Sequence, residues 1–372
     1  RKKNINFISY FSLLSFIIIN IFFYRIQEHG TDKSAQILAL VFFIEMFLLI
    51  KLDKEFEKHL DKIFILLGVI ISLKSFFMLY LIFLIPFILI LSNQKKLFLI
   101  IKIFQNRFFF SFILLFSILL FTNFLNSGCL VYPVHFTCFN NFEWSIGSSE
   151  TLRMNNWYEQ WSKAGAGPNF RVEQSELYIQ NFNWVSNWFK IYFFNKISDF
   201  LLGLIFLISV AGLTFYSKST QKISFNGNNL IIYLFIFVLF IEWFYNHPAL
   251  RYGGYCLIIA LIMIPVSLCL EKFKKPYSIL KKNFTILICI TLVIFFVRNL
   301  SRINNEMNIY NYNPFSQPFY KLDKNHFRVN QQFEELITNY HNCLDGIKCD
   351  QMMYKKVKKI FFGKYLLVNL KN

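Results

Sequence analysis

Charge is scarce in this chain, and acidic charge is scarcer. Of 372 residues, 16% are charged, with 21 Asp and Glu against 39 Lys and Arg. The resulting +18 lacks the clustering that nucleic-acid binding requires, because the cations are dispersed between apolar runs and do not gather on one soluble face. No G-x-x-x-x-G-K-[ST] and no G-x-G-x-x-G occurs, so ATP-driven transport by this chain alone has no support. The cysteines lack the paired C-x-x-C knuckles of a zinc site. Intramembrane charge is sparse, with Glu45 inside the second run and Lys74 between the third and fourth, and a proton-coupled carrier is expected to show more acids along its spans. The chain begins at Arg1 without a visible signal peptide, which points to a processed start or a fragment.

What the sequence does contain is nine apolar stretches, at about 5–24, 37–50, 63–72, 76–92, 108–126, 200–216, 230–245, 254–270 and 284–300. A helix crossing the hydrocarbon core takes about 20 residues, and shorter ones are accommodated inside a bundle. The expected fold is an all-α, polytopic membrane bundle of about nine helices. It divides into N-terminal spans 1–126, a large loop 127–199, C-terminal spans 200–300 and a tail 301–372.

Lysine and arginine collect at alternate gaps. One set holds Arg1, Lys2, Lys3; Lys51, Lys54, Lys58, Lys62; Lys95, Lys96, Lys102, Arg107; Lys218, Lys222; and Lys272, Lys274, Lys275, Lys281, Lys282. The opposite short gaps hold only Arg25, Lys33, Lys74 and Arg251. By the positive-inside rule the first set is cytoplasmic. The N-terminus of this chain is then inside, and the 127–199 loop and the tail lie outside, in the periplasm if the membrane is a bacterial inner membrane. Cys129 with Cys138, and Cys343 with Cys349, both fall in segments placed outside, where disulfides persist. Two bridges are expected; the alternative is four free thiols.

Phe reaches 49 residues, which an A/T-rich genome supplies through its codons, so tryptophan is the more telling aromatic. Trp144, Trp157, Trp161, Trp184 and Trp188 lie in the long loop and Trp243 at the end of a span, positions expected to hold the loop against membrane lipids. Within that loop a helix is expected over 150–163, broken by Gly165, Gly167 and Pro168. A second is expected from Glu173 to about Phe194, lying in the interface as one wall of a lipid groove or simply packing as a lid.

The outward gaps gather the polar groups. Glu28-His29-Gly30-Thr31-Asp32-Lys33 places two carboxylates and an imidazole together, which suits general-base work by Asp32 or Glu28, or the holding of a divalent metal. The bland alternative is a polar turn in which Thr31 or Asp32 caps the next helix. Lys74 is expected at the mouth of a tight helical hairpin. His247, Arg251 and Tyr252 follow a span that ends in Glu242 and Trp243. An arginine there can clamp a phosphate bidentately, pair with Glu242, or snorkel to head groups.

The stretch His247-Pro248-Ala249-Leu250-Arg251-Tyr252-Gly253-Gly254-Tyr255, followed by an apolar span reaching Pro265, resembles a segment of GT-C-type membrane glycosyltransferases. The alternation of many spans with large outward loops resembles that family too. The resemblance implies inverting sugar transfer from a polyprenyl-phosphate donor, with Glu28 and Asp32 as catalytic candidates. His29, Lys33, Lys74, His247, Arg251 and Tyr252, as outward polar residues, are the candidates for binding the lipid-linked substrate. Such enzymes place their acid in the first outward loop, which is the Glu28–Asp32 loop only if no span precedes Arg1. An oligosaccharide polymerase or ligase is the nearest alternative, though Arg153, Arg171 and Arg251 are few arginines for one. A non-enzymatic carrier or flippase of lipid-linked sugar is the next.

Overall fold

The computed structural model describes residues 5–25, 30–50, 56–93, 104–142, 144–168, 170–220 and 227–310, together with strands Val357–Phe362 and Tyr365–Leu370. Two compact units divide the chain, Arg1–Asn299 and Leu300–Asn372.

The first unit is helical. Helices α1 (Phe7–Phe22), α2 (Asp32–Leu49) and α3 (Phe56–Leu73) lead into a 3-10 segment, Ser75–Phe83, and α4 (Leu84–Asn93). Then come α5 (Arg107–Ser127), α6 (Ser148–Lys163), the short α7 (Ser175–Ile179) and α8 (Val185–Trp188). A π-helical stretch Phe189–Ile197 joins α8 to α9 (Ser198–Phe215), and α10 (Gly227–Asn246), α11 (Gly254–Glu271) and α12 (Tyr277–Tyr310) complete the order.

Local chemistry sets several of these boundaries. Asn6 is extended and its side chain accepts the Ser9 N–H at 3.2 Å, supplying an acceptor to one of the orphan donors that open α1. Asn106 does the same for Phe108 at the start of α5, at 2.7 Å. Gly128 stops α5 in a left-handed conformation (φ 75°), where a side chain would be strained.

Five helices among the described residues are long and apolar enough to cross a membrane: Arg107–Ser127, Val185–Phe215, Gly227–Asn246, Gly254–Glu271 and Tyr277–Ile309. A helix suits such a segment because it satisfies every backbone polar group internally. Shorter apolar helices run over Phe7–Phe22 and Ser75–Leu89. The remaining two expected stretches, 37–50 and 63–72, sit within α2 and α3, whose polar first turns carry Asp32 and Glu57.

Helix α11 is the centre of the packing. It touches α1, α2, α9 and α10 and is far more enclosed than the other four long helices. The 3-10 segment shows why period matters. Three residues per turn bring positions i, i+3 and i+6 onto one edge, and here they are Phe77, Tyr80 and Phe83, all buried. Phe42 and Phe43 of α2 meet Tyr80 and Phe83 with ring centroids 5.5–6.2 Å apart. Tyr80 Oη also lies 3.3 Å from Cys256 Sγ of α11. At the far end of α2, Glu45 takes His59 Nδ1 at 2.6 Å and Lys62 Nζ at 2.7 Å, both from α3.

Several expectations need correction. No single helix runs from Glu173 to Phe194. The chain breaks after Ile179, Asn181 adopts φ 51°, and Asn183 Nδ2 donates to Leu177 O, so the turn completes its own hydrogen bonds. The second half instead extends the following span back to Val185. Trp184, Trp188 and Trp243 are buried in the protein core and do not rest in the lipid interface; only Trp144 and Trp157 are substantially exposed. The second unit also departs from an all-α tail. Strands Val357–Phe362 and Tyr365–Leu370 pair antiparallel, with Phe362 opposite Tyr365. Cys129 and Cys138 form a disulfide; Cys343 and Cys349 lie outside the described residues.

Candidate functional site

Asp32 is the first residue of α2, Lys74 follows α3, and Arg251 precedes α11; the fold brings all three to one end of the helix bundle. A carboxylate in a helix's first turn is favoured by the positive end of the helix dipole. Thr31 does not cap α2. Its hydroxyl donates to Leu73 O at 2.6 Å, which ties the start of α2 to the end of α3 and sets Lys74 beside Asp32.

The ion pairs are short. Lys74 Nζ stands 2.5 Å from Asp32 Oδ1, and Arg251 reaches Oδ2 through Nε at 2.9 Å and one terminal nitrogen at 2.7 Å. The carboxylate is largely enclosed, with 12% of its side chain exposed, whereas Arg251 keeps 52% of its side chain open. Among the described residues, two cations meet one anion at this mouth.

Aromatic rings line it. The Arg251 guanidinium carbon lies 5.5 Å from the Trp161 ring and 5.8 Å from that of Tyr252, and Lys74 Nζ is 5.2 Å from Tyr252. Tyr252 in turn meets Trp161 and His247 edge-on, each at 5.8 Å. Cations over ring faces are attracted by the π quadrupole, and rings limit the water that would screen them. Burial pushes the Tyr252 hydroxyl up to about 12, so it is a neutral hydrogen-bonding group at physiological pH.

The Arg251 loop is anchored by several buried side chains. Gln36, fully buried one turn beyond Asp32, donates through Nε2 to Arg251 O at 3.3 Å and accepts the Cys256 N–H at 3.2 Å. Trp188 Nε1 donates to Pro248 O and Trp243 Nε1 to Ala249 O, both at 3.0 Å. Tyr192 Oη accepts the Leu250 N–H at 2.8 Å. Gly253 and Gly254 are needed where they stand. Gly253 has φ 94°, and a Cβ on Gly254 would come within 2.4 Å of the Trp243 ring.

Behind the mouth, Lys163 is fully buried, bonded to Glu159 at 2.5 Å and Ile179 O at 2.8 Å, with the Trp184 and Tyr245 rings each 5.2 Å away. Burial lowers its basicity and Glu159 restores part of it. His247 is pulled down to about 4, first by burial and then by the Lys163 charge, so its imidazole is neutral at pH 7.

Of the residues singled out in the sequence, Asp32, Lys74, Arg251 and Tyr252 meet directly, and His247 joins through Tyr252. Lys33 turns elsewhere, its ammonium 5.8 Å from the Phe23 ring. Glu28 and His29 lie outside the described residues. Glu242, considered as a partner for Arg251, accepts from Asn246 instead. Among the described residues no three His, Cys, Asp or Glu side chains gather as a metal site. Sequence reasoning did not find Trp161 as a site residue or Gln36 at all. A polar amide inside an otherwise apolar span, on the Asp32 face four residues on, was the signal available for Gln36.

No curated protein and no solved structure matches the chain. Residues 1–258, which hold the Asp32, Lys74 and Arg251 mouth entire, match the family described as Domain of unknown function (DUF8201), and the chain belongs to that family.

Proposed function

We propose that this chain is a nine-span protein of a bacterial cytoplasmic membrane that transfers a glycosyl group from a polyprenyl-phosphate carrier to an envelope acceptor on the outer face. The observation that carries the reading is the convergence of Lys74 and Arg251 on Asp32, leaving a half-open guanidinium among aromatic rings. Such a mouth accepts an oxyanion. It also holds a carboxylate next to the place where that anion would sit. The scarcity of cations in the gaps at this end of the bundle supports an outward orientation.

In the proposed reaction, donor phosphate oxygens compete with Asp32 for Lys74 and Arg251. The carboxylate lone pairs so released take the proton of an acceptor hydroxyl. The acceptor oxygen forms a bond to the anomeric carbon as the bond from that carbon to the phosphate oxygen breaks, inverting the configuration. The electron pair leaves with the polyprenyl phosphate, whose added charge the two cations neutralise. Trp161 and Tyr252 offer ring faces to the sugar.

The test is turnover of a polyprenyl-phosphate sugar by purified protein, with binding measured in parallel. Asp32→Asn is expected to lose turnover by 100-fold or more, in the range of general-base contributions. Arg251→Lys is expected to weaken donor binding, because a point charge cannot reproduce the fork. Binding without turnover in the unaltered protein favours a carrier and defeats the transferase reading. Topology has its own test: Glu173→Cys should be labelled from outside and Lys274→Cys from inside only. The reverse pattern would put the mouth in the cytoplasm.

A further inference from the structure

The basic gaps after α9 and between α11 and α12 fold against each other. Residues 214–220 and 271–283 carry six lysines, Lys218, Lys272, Lys274, Lys275, Lys281 and Lys282, against one acid, Glu271. Orientation in a membrane asks only that such cations stay on one side. It asks for no fixed geometry, and here there is one. Thr220 and Phe273 form an isolated β-bridge, the Lys274 N–H donates to Ser219 O at 2.9 Å, and Ser217 Oγ donates to Lys274 O at 2.9 Å. Lys275 Nζ, just before α12, and Asn283 Nδ2, within it, both donate to Thr214 O in the last turn of α9, at 2.9 and 3.0 Å. The Tyr216 and Phe273 rings meet at 5.2 Å and those of Phe215 and Phe284 at 5.3 Å. Three helix ends are thereby joined into one basic platform.

We infer that this platform is a docking surface for the phosphate headgroups of anionic phospholipids in the leaflet it meets. Placement is the first argument. The apolar helices Val185–Phe215, Gly254–Glu271 and Tyr277–Ile309, all of membrane length, end or begin here, so the platform stands where apolar span gives way to headgroups. Charge is the second. Lys218, Lys272, Lys274, Lys281 and Lys282 are exposed, and among the described residues none of the six lysines forms an ion pair. Lysines gathered beside a membrane-spanning helix attract an anionic leaflet, by roughly fivefold in affinity for each. The third argument separates a lipid from a soluble acidic partner. Tyr216, Tyr277 and Ile279 are exposed beside the lysines, so the face is part apolar and part cationic. A headgroup layer over acyl chains matches both parts, whereas a hydrated acidic segment matches only the charge.

The inference stands apart from sugar transfer, and so does its test. The full chain, purified in a neutral detergent, is titrated with phosphatidylglycerol, phosphatidylcholine, inorganic phosphate and a polyglutamate peptide, and retained ligand is read by native mass spectrometry. Phosphatidylglycerol is expected to bind about tenfold or more tighter than phosphatidylcholine, an advantage that shrinks as salt rises. Lys272→Gln with Lys274→Gln, and separately Lys281→Gln with Lys282→Gln, should each weaken phosphatidylglycerol by about tenfold or more and leave phosphatidylcholine unchanged. Lys190→Gln with Lys196→Gln removes the same charge from two exposed lysines of the π-helical stretch and should leave both lipids unchanged. Melting curves check that every variant folds. Phosphatidylglycerol with a photoreactive headgroup should crosslink within 214–220 and 271–283. Unchanged phosphatidylglycerol affinity in either folded platform variant, an equal loss in the Lys190 and Lys196 variant, or crosslinks elsewhere would overturn the docking surface. Inorganic phosphate or polyglutamate binding as tightly as phosphatidylglycerol would overturn it too, since charge alone would then be read.

Discussion

Helix α2 carries a carboxylate near each end, and each is held by two basic groups. Glu45 is met by His59 and Lys62, which lie three residues apart on α3, so one helical hairpin supplies the whole cluster. Asp32 is met by Lys74 and by Arg251, which arrives from the opposite half of the apolar sequence. The first cluster is sealed around its acid and imidazole, with exposures of 9% and 11%. The second leaves Arg251 about half open and surrounds it with rings. Similar ionic chemistry thus serves two ends. At the Glu45 end it fixes the register of α2 on α3, and at the Asp32 end it closes the bundle across the chain and presents a cation.

The largest loss of stability is expected at Glu45. Glu45→Ala would take the acceptor from the enclosed His59 Nδ1, while the 44% exposed Lys62 can turn to water. Removing one partner of a buried hydrogen bond costs about 1–3 kcal/mol. A large fall in thermal stability is expected, with anion binding at the Arg251 mouth retained in the fraction that stays folded. Asp32→Ala should do the converse, altering binding more than melting, because its partners can turn to solvent.

Acidification acts at the Arg251 mouth next. His247 titrates near 4 in the folded chain against 6.5 for an ordinary imidazole. A lowered folded pKa means that the unfolded chain binds the proton first. The stabilising effect of neutral His247 is therefore complete above pH 6.5 and is lost progressively as pH falls from 6.5 toward 4. The loss is at most about 3 kcal/mol. His247→Gln should flatten that part of the melting-temperature profile, and an unchanged slope would show that another group controls it.

Gln36 tests whether the long-range closure depends on one amide. Gln36→Leu keeps the volume but strands Arg251 O and the Cys256 N–H, at about 2 kcal/mol for unsatisfied buried groups. Lower stability accompanied by weaker anion binding is expected, since the loop loses its tie to α2. The smallest effect is Arg251→Lys, about 1.4 kcal/mol or tenfold in phosphate affinity with little change in melting. A lysine that binds as well as the arginine would mean that charge alone is read.

Much of the helix layout was legible because the apolar runs are long. Runs at 108–126, 230–245 and 254–270 fall on helices whose ends differ by a few residues. Legibility failed where polar groups close a turn on themselves, as at Asn181 and Asn183, because such bonds leave no mark on hydrophobic periodicity. It failed again for tryptophan. Trp188 and Trp243 have the residue type of interface anchors, yet each indole found a backbone carbonyl inside the protein, and that partner is known only once the fold is. The individual candidates Asp32, Lys74, Arg251 and Tyr252 were visible as outward polar residues. Their meeting was not, because residues 32 and 251 are joined by packing on α11 and not by any local spacing.

Two helices begin at the Arg251 mouth, α2 at Asp32 and α11 at Gly254. The positive ends of both helices therefore lie close in sequence to the paired residues Asp32 and Arg251, each end equivalent to about half an elementary charge. That fixed field cannot be neutralised by protonation and does not depend on any side chain. Even a variant neutralised at Lys74, Arg251 and Asp32 together retains a residual attraction for anions at this place, weakened where bilayer or salt screening reaches it. Capture of a charged lipid should then slow with rising ionic strength in the unaltered protein and lose most, but not all, of that sensitivity in the triply neutral variant.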